Sequence, residues 1–219
     1  TAGTFILIFL QPDLGTAGLL LIIFISFVFL VRLDLKQIVA VVVSGLVLLP
    51  CSLFFMEEYQ KRRIVTFLNP DKDALRAGYQ AIQSKIAIGS GMLSGKGFMS
   101  GTQSQLRFLP EQHTDFAFSV WAEEWGFVGS VLLLLFFFLL LSKGLKIATI
   151  ARDRLGAFMA VGLVLILFWQ VCINIGMVCG LFPIVGVPLP FVSYGGSSLI
   201  TSWVIVGLLL NIRMRRLTF

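Results

Sequence analysis

Charge is what this sequence has least of. Only 13% of its 219 residues are Asp, Glu, Lys or Arg, while 58% are hydrophobic, and the mean hydropathy is +0.96. A soluble domain of this size has no core large enough to bury that much apolar surface, so the soluble globular classes are excluded. Histidine occurs once and cysteine three times, with no Cys-x-x-Cys pair, which leaves neither a zinc site nor a disulfide framework. Residues 1–10 lack the basic start and small-residue cleavage site of a signal peptide. Residues 155–212 contain no charge at all. That argues against a proton relay or a charge-coupled transporter, which place ionisable groups mid-span.

What is present is a series of long Ala-, Leu- and Phe-rich runs. A helical crossing takes about 20 apolar residues, and the ten-residue alternation of barrel strands is missing. The runs therefore predict an all-α fold, a polytopic transmembrane helical bundle with a large structured outer loop, in one membrane domain over 1–219. Residues 1–10 read as the end of a helix that begins upstream. Complete spans follow at 15–31, 37–56, 126–142, 155–182 and 197–212, with the outer loop at 57–121. Pro50 kinks the far end of the second of these, and PIVGVPLPFVSYGGSS at 183–198 separates the last two.

The net charge of +6 points to basic loops rather than to a nucleic-acid partner. Nine of the seventeen Lys and Arg residues lie in the connectors at 32–36 and 143–154 and in the C-terminal tail. Those short segments flank helix ends, which makes their side cytoplasmic. Asp13, the 57–121 loop and the 183–198 turn then face outward, and with Glu123 and Glu124 that side holds nine of the eleven carboxylates.

The outer loop reads as ordered. After the Asn69-Pro70-Asp71 turn, Leu75, Tyr79, Ile82 and Ile86 fall on one face of a helix that lies on the membrane or packs over the bundle mouth. Glycines at 89, 91, 95, 97 and 101 surround Lys96. Their spacing does not match a phosphate-binding P-loop, and both a flexible surface loop and an anion cradle stay open. Residues 101–124 then concentrate Glu111, His113, Asp115, Glu123 and Glu124. Asp115 has two readings: an N-cap that complements a helix dipole, or a carboxylate at the edge of low dielectric, suited to general-base work. His113 reads as a hydrogen-bonding partner rather than a metal ligand. Glu123 and Glu124, between Trp121 and Trp125, read as markers of the membrane interface. Gln170 with Asn174, and Gly176 with Gly180, read as helix-packing pairs.

Four stretches carry a resemblance: LQPDLGTAGLL at 10–20, GYQAIQSKIAIGSGMLSGKGF at 78–98, GTQSQLRFLPEQHTDFAF at 101–118 and GVPLPFVSYGGSS at 186–198. In order, spacing and topology the chain resembles the SEDS family (shape, elongation, division and sporulation), and its elongation members more than its division members. RodA-like members of that family have about ten spans, of which this chain supplies roughly the last five and a half.

The resemblance implies a peptidoglycan glycosyltransferase that polymerises lipid II on the outer face of the bacterial cytoplasmic membrane, working with a class B penicillin-binding protein transpeptidase. It places the essential aspartate at Asp115, as general base on the acceptor sugar's hydroxyl. A divalent cation, Mg or Mn, or basic groups would offset charge on the leaving pyrophosphate, with Lys96 and Arg107 as candidates. Gln103, Gln105, Glu111 and His113 would contact sugar, and Asp13 and Ser193 would line the cavity. The competing readings are a lipid II flippase and a scaffold for the transpeptidase.

Overall fold

The computed structural model describes residues 14–30, 61, 63, 65–67, 69, 77–106 and 113–215. Among these there is no strand, and six helices have bounds within the described residues: α1 (Leu14–Leu30), α2 (Ala77–Ser90), α3 (Thr102–Gln105), α4 (Ala117–Ile150), α5 (Arg154–Val178) and α6 (Gly196–Arg215); residues 61, 63 and 65–67 are helical as well. The expected spans at 1–10 and 37–56 lie outside the described residues.

Three helices, α4, α5 and α6, are long and apolar enough to cross a membrane, and α1 is a shorter apolar helix. They expose a ring of large hydrophobic side chains, among them Phe136, Phe138, Leu155, Ile200 and Trp203. In water this surface would be untenable; against lipid it costs nothing.

The helices pack through two apolar clusters. One, formed by Ile147, Ala160, Val164, Leu167, Ile205, Leu209 and Ile212, joins α4, α5 and α6 at the end holding the α4–α5 connection. There Gly144 lets α4 approach Val164 closely. Asp153 caps α5, its carboxylate accepting from Gly156 N at 3.1 Å. The other cluster, at the opposite end, includes Ala87, Phe116, Phe118, Ala122, Val171, Met177, Val178 and Leu189. It joins α2, α4, α5 and the turn before α6. On the flank, α1 meets α5 through an edge contact of Phe27 with Phe158 and a 2.9 Å hydrogen bond from Trp169 Nε1 to Ser26 Oγ.

The expected start of the third complete span at 126 coincides with a break in α4 at Gly126, which is not helical; helix precedes the break from Ala117 and continues beyond residue 142 to Ile150 through the basic residues Lys143 and Lys146. In α2 the buried positions are small, Ser84 and Ala87 at 0% exposure, whereas Ile86 is 45% exposed. Small side chains allow a close approach to α5, where Ser84 Oγ donates to Val178 O at 3.0 Å. Tyr79 and Ile82 are half-buried.

Candidate functional site

Within α4 the chain breaks at Gly126, which adopts φ +64° and ψ −160°. Among the helical hydrogen bonds that would span residue 126 are those from the amides of residues 127 and 128 to the carbonyls of residues 123 and 124. The glycine segment replaces these two. Phe127 N donates to Met92 O at 2.8 Å and Val128 N to Leu93 O at 3.1 Å, while Lys96 N and Gly97 N donate to Glu123 O and Glu124 O, each at 3.0 Å. These four backbone groups are thereby paired, as a buried helix end requires.

This pairing explains the glycines. A β-carbon at Gly91 would collide with the Ala122 carbonyl, and one at Gly95, at φ +78°, with that of Glu124. Neither a flexible surface loop nor a phosphate cradle describes the segment: the amides of Lys96 and Gly97 are spent on helix carbonyls.

A buried carboxylate holds the same junction. Glu123 is 0% exposed, and its Oε1 accepts from Lys96 Nζ at 2.7 Å, Gln103 N at 3.0 Å and Thr102 Oγ1 at 3.2 Å. Lys96 Nζ also donates to Thr102 Oγ1 at 2.8 Å. Glu123 is thus no interface marker but the anchor that fixes α3 to α4. Lys96 carries a charge already balanced by Glu123. Gln103 is held through its backbone, with its side-chain Oε1 buried and unpartnered, while Gln105 is exposed and donates from Nε2 to Met99 O at 3.0 Å.

A second assembly surrounds Asp115, just before α4. Asn174 of α5 donates from Nδ2 to Asp115 O at 2.9 Å and to Val187 O at 2.7 Å. Tyr194 N donates to His113 O at 2.7 Å. The turn between α5 and α6 is thereby tied to residues 113–115 at two points. Gly186, at φ +76°, lies against the half-buried Asp115: a β-carbon there would stand 3.3 Å from Oδ2. Ser193 is buried and its hydroxyl accepts from Leu189 N at 2.8 Å, which shapes the turn from within.

An open cleft of about 500 Å³ adjoins both assemblies, lined by His113, Trp121, Glu124, Trp125, Ser193 and Tyr194 among others. One wall is rigid: Trp121 and Trp125 stack at 5.6 Å, and Trp121 Nε1 donates to Gly129 O at 3.0 Å. Polar groups on aromatic walls suit an amphiphile with a sugar-like head.

Of the residues expected at the site, the structure brings His113, Asp115 and Ser193 together and gathers Lys96 and Gln103 around Glu123. Asp13, Arg107 and Glu111 lie outside the described residues. Among the described residues no three His, Cys, Asp or Glu side chains form a group able to hold a metal ion, and Glu123 is taken up by Lys96, Thr102 and Gln103. Sequence reasoning missed Glu123, whose partner Lys96 stands 27 residues away. It also gave Asn174, with Gln170, to packing, although an Asn in a stretch without charge was a signal.

The fold and site define a polytopic α-helical membrane protein with a carboxylate at one end of the bundle, beside an aromatic cleft. The family model described as "Cell cycle protein", that of FtsW, RodA and SpoVE, matches residues 1–217, and the chain belongs to this family. It is 50% identical over 212 residues to peptidoglycan glycosyltransferase MrdB of Escherichia coli K12, covering 96% of this chain and 57% of that protein. It is 45% identical over 162 residues to peptidoglycan glycosyltransferase RodA of Treponema pallidum, covering 74% of this chain and 37% of that one. Among solved structures, one concerned with the coordination of polymerization and crosslinking by a peptidoglycan synthase complex matches with a TM-score of 0.75 at 32% identity, covering 96% of this chain and 58% of the other. Thermus thermophilus rod shape determining protein RodA matches with a TM-score of 0.62 at 30% identity, covering 97% and 53%. The chain spans little more than half the length of the MrdB it matches.

Proposed function

We propose that this protein is a peptidoglycan glycosyltransferase of cell-wall elongation that polymerises lipid II, with Asp115 as general base. The observation that carries the reading is Asp115 itself, half-buried at the end of the bundle, fixed through its own backbone by Asn174 and close to the cleft through His113. The relatives named peptidoglycan glycosyltransferases support the reaction class.

In the reaction the 4-hydroxyl of the acceptor sugar attacks the anomeric carbon of the donor. The new glycosidic bond forms as the bond to the polyprenyl pyrophosphate breaks, and Asp115 takes the hydroxyl proton. A positioned base of this kind contributes on the order of 10²–10⁴ in rate. His113 and Gln103 are the described candidates for sugar contacts. Lys96, its charge offset by Glu123, serves by holding α3 and the glycine segment in place. Arg107, Glu111 and Asp13 keep their expected roles at the pyrophosphate, the sugar and the cavity wall.

The Asp115 end of the bundle faces outward and the C-terminus is cytoplasmic. The basic last turn of α6, Arg213 and Arg215, supports this orientation. A class B penicillin-binding protein is the partner, supported by the likeness to a peptidoglycan synthase complex.

The test is glycan-strand synthesis from purified lipid II by the full-length protein with that transpeptidase, alongside transbilayer movement of lipid II in vesicles containing the same protein. Glycan strands from wild type are expected. Movement of lipid II without strands would replace the polymerase by a flippase.

A further inference from the structure

Position 174 lies among buried apolar residues of α5, with Val171 before it and Met177 and Val178 after it, and the half-buried Gln170 one turn earlier. Asn174 is 0% exposed, and its Oδ1 has no hydrogen-bond partner. A buried carboxamide oxygen without a donor costs about 1–3 kcal/mol. An apolar residue of similar size would avoid that cost and extend the cluster. What Asn174 supplies instead is a pair of donated bonds, to Asp115 O at 2.9 Å and Val187 O at 2.7 Å.

These bonds join two segments that do not otherwise form regular structure. One is the approach to α4 that carries Asp115; the other is the turn that carries Gly186. Residue 186 immediately precedes the tethered carbonyl of Val187, and its missing side chain leaves the space beside Asp115 Oδ2. The Asn174 amide thus ties the Asp115 peptide to the wall its carboxylate faces, alongside the Tyr194 N to His113 O bond.

We propose that Asn174 is a positioning residue for the reaction, acting through the backbone of Asp115 and never touching substrate. The inference rests on Asp115 being the base. Its consequence is kinetic: with the amide gone, binding in the cleft persists while the carboxylate drifts from the acceptor hydroxyl. A displacement of about 1 Å costs on the order of a hundredfold in rate.

The experiment compares wild type, Asn174→Leu, Asn174→Gln and Asp115→Asn in the full-length protein with its transpeptidase. The readouts are kcat and KM for purified lipid II per folded molecule, folded protein being the monodisperse fraction with a cooperative melt. For Asn174→Leu, kcat is expected to fall about ten- to a hundredfold with KM within about twofold of wild type. Asn174→Gln keeps both donors and is expected to recover part of the loss. Should Asn174→Leu not fold, Asn174→Ser, which retains one donor, carries the comparison with an intermediate kcat. A purely structural role would lower the folded yield and leave kcat per folded molecule unchanged, and that result overturns the inference alone. An Asp115→Asn variant active at the wild-type rate overturns the base assignment, and the inference with it.

Discussion

Replacing Lys96 with Met should cost more stability than replacing its partner Glu123 with Gln, because the two ends of the pair are buried unequally. Glu123 is wholly enclosed, whereas the Lys96 side chain is 26% exposed. Lys96→Met leaves a carboxylate inside the protein without its cation, still accepting from Thr102 Oγ1 and Gln103 N. Removing one partner of a buried ion pair costs about 3–5 kcal/mol. Glu123→Gln instead leaves an ammonium that turns toward water and keeps Thr102, so the loss is that of a hydrogen bond to a charged group, about 1.5–3 kcal/mol. Exchanging both, Lys96→Met with Glu123→Leu, strands no charge and should recover most of the loss. The assay is thermal unfolding of the purified full-length protein in one detergent, with protease cleavage within residues 91–101 as a local probe. For a domain of this size Lys96→Met should lower the midpoint by on the order of 10 °C, and cleavage should rise with it. Equal losses for the two single variants, or a double variant worse than either, would refute the reasoning.

Other substitutions probe the stitched break and the wall beside Asp115. Gly95→Ala and Gly126→Ala should each destabilise by more than about 2 kcal/mol, since both glycines have positive φ and a β-carbon at either would strike backbone. Gly207→Ala, in α6 with open space around it, should be neutral or stabilising by up to about 1 kcal/mol; chemical denaturation of the three side by side checks the contrast. Gly186→Ala should lower lipid II polymerisation by roughly tenfold or more, with KM little changed, because the new methyl group would stand against Asp115 Oδ2.

The spans were legible because their signal is one-dimensional. An uncharged apolar run is visible residue by residue, and α5 and α6 begin at Arg154 and Gly196, one residue from where the runs begin. The start of α4 was hidden by its own chemistry: Ala117 to Trp125 mixes aromatic, small and acidic residues, and nothing local says that the carbonyls of Glu123 and Glu124 are capped by a segment some 27 residues earlier. Gly126 looked like any glycine at the head of a span. Asp115 was visible as a candidate through its place before a helix, and its assignment as the base rests on resemblance. Its setting was not, since Asn174 and Gly186 reach it only through the folded chain. Glu123 shows the same limit: a carboxylate at a span's edge looks solvated until the lysine that buries it is seen.

In the proposed reaction Asp115 takes the proton in glycosidic bond formation. This is tested by the single-turnover rate of glycan formation by Asp115→Asn against wild type, at equal folded amounts, with lipid II binding measured on the same preparations. Retained binding and a rate lower by at least about 10² are expected. A rate equal to wild type, with binding unchanged, would show that Asp115 is not the base.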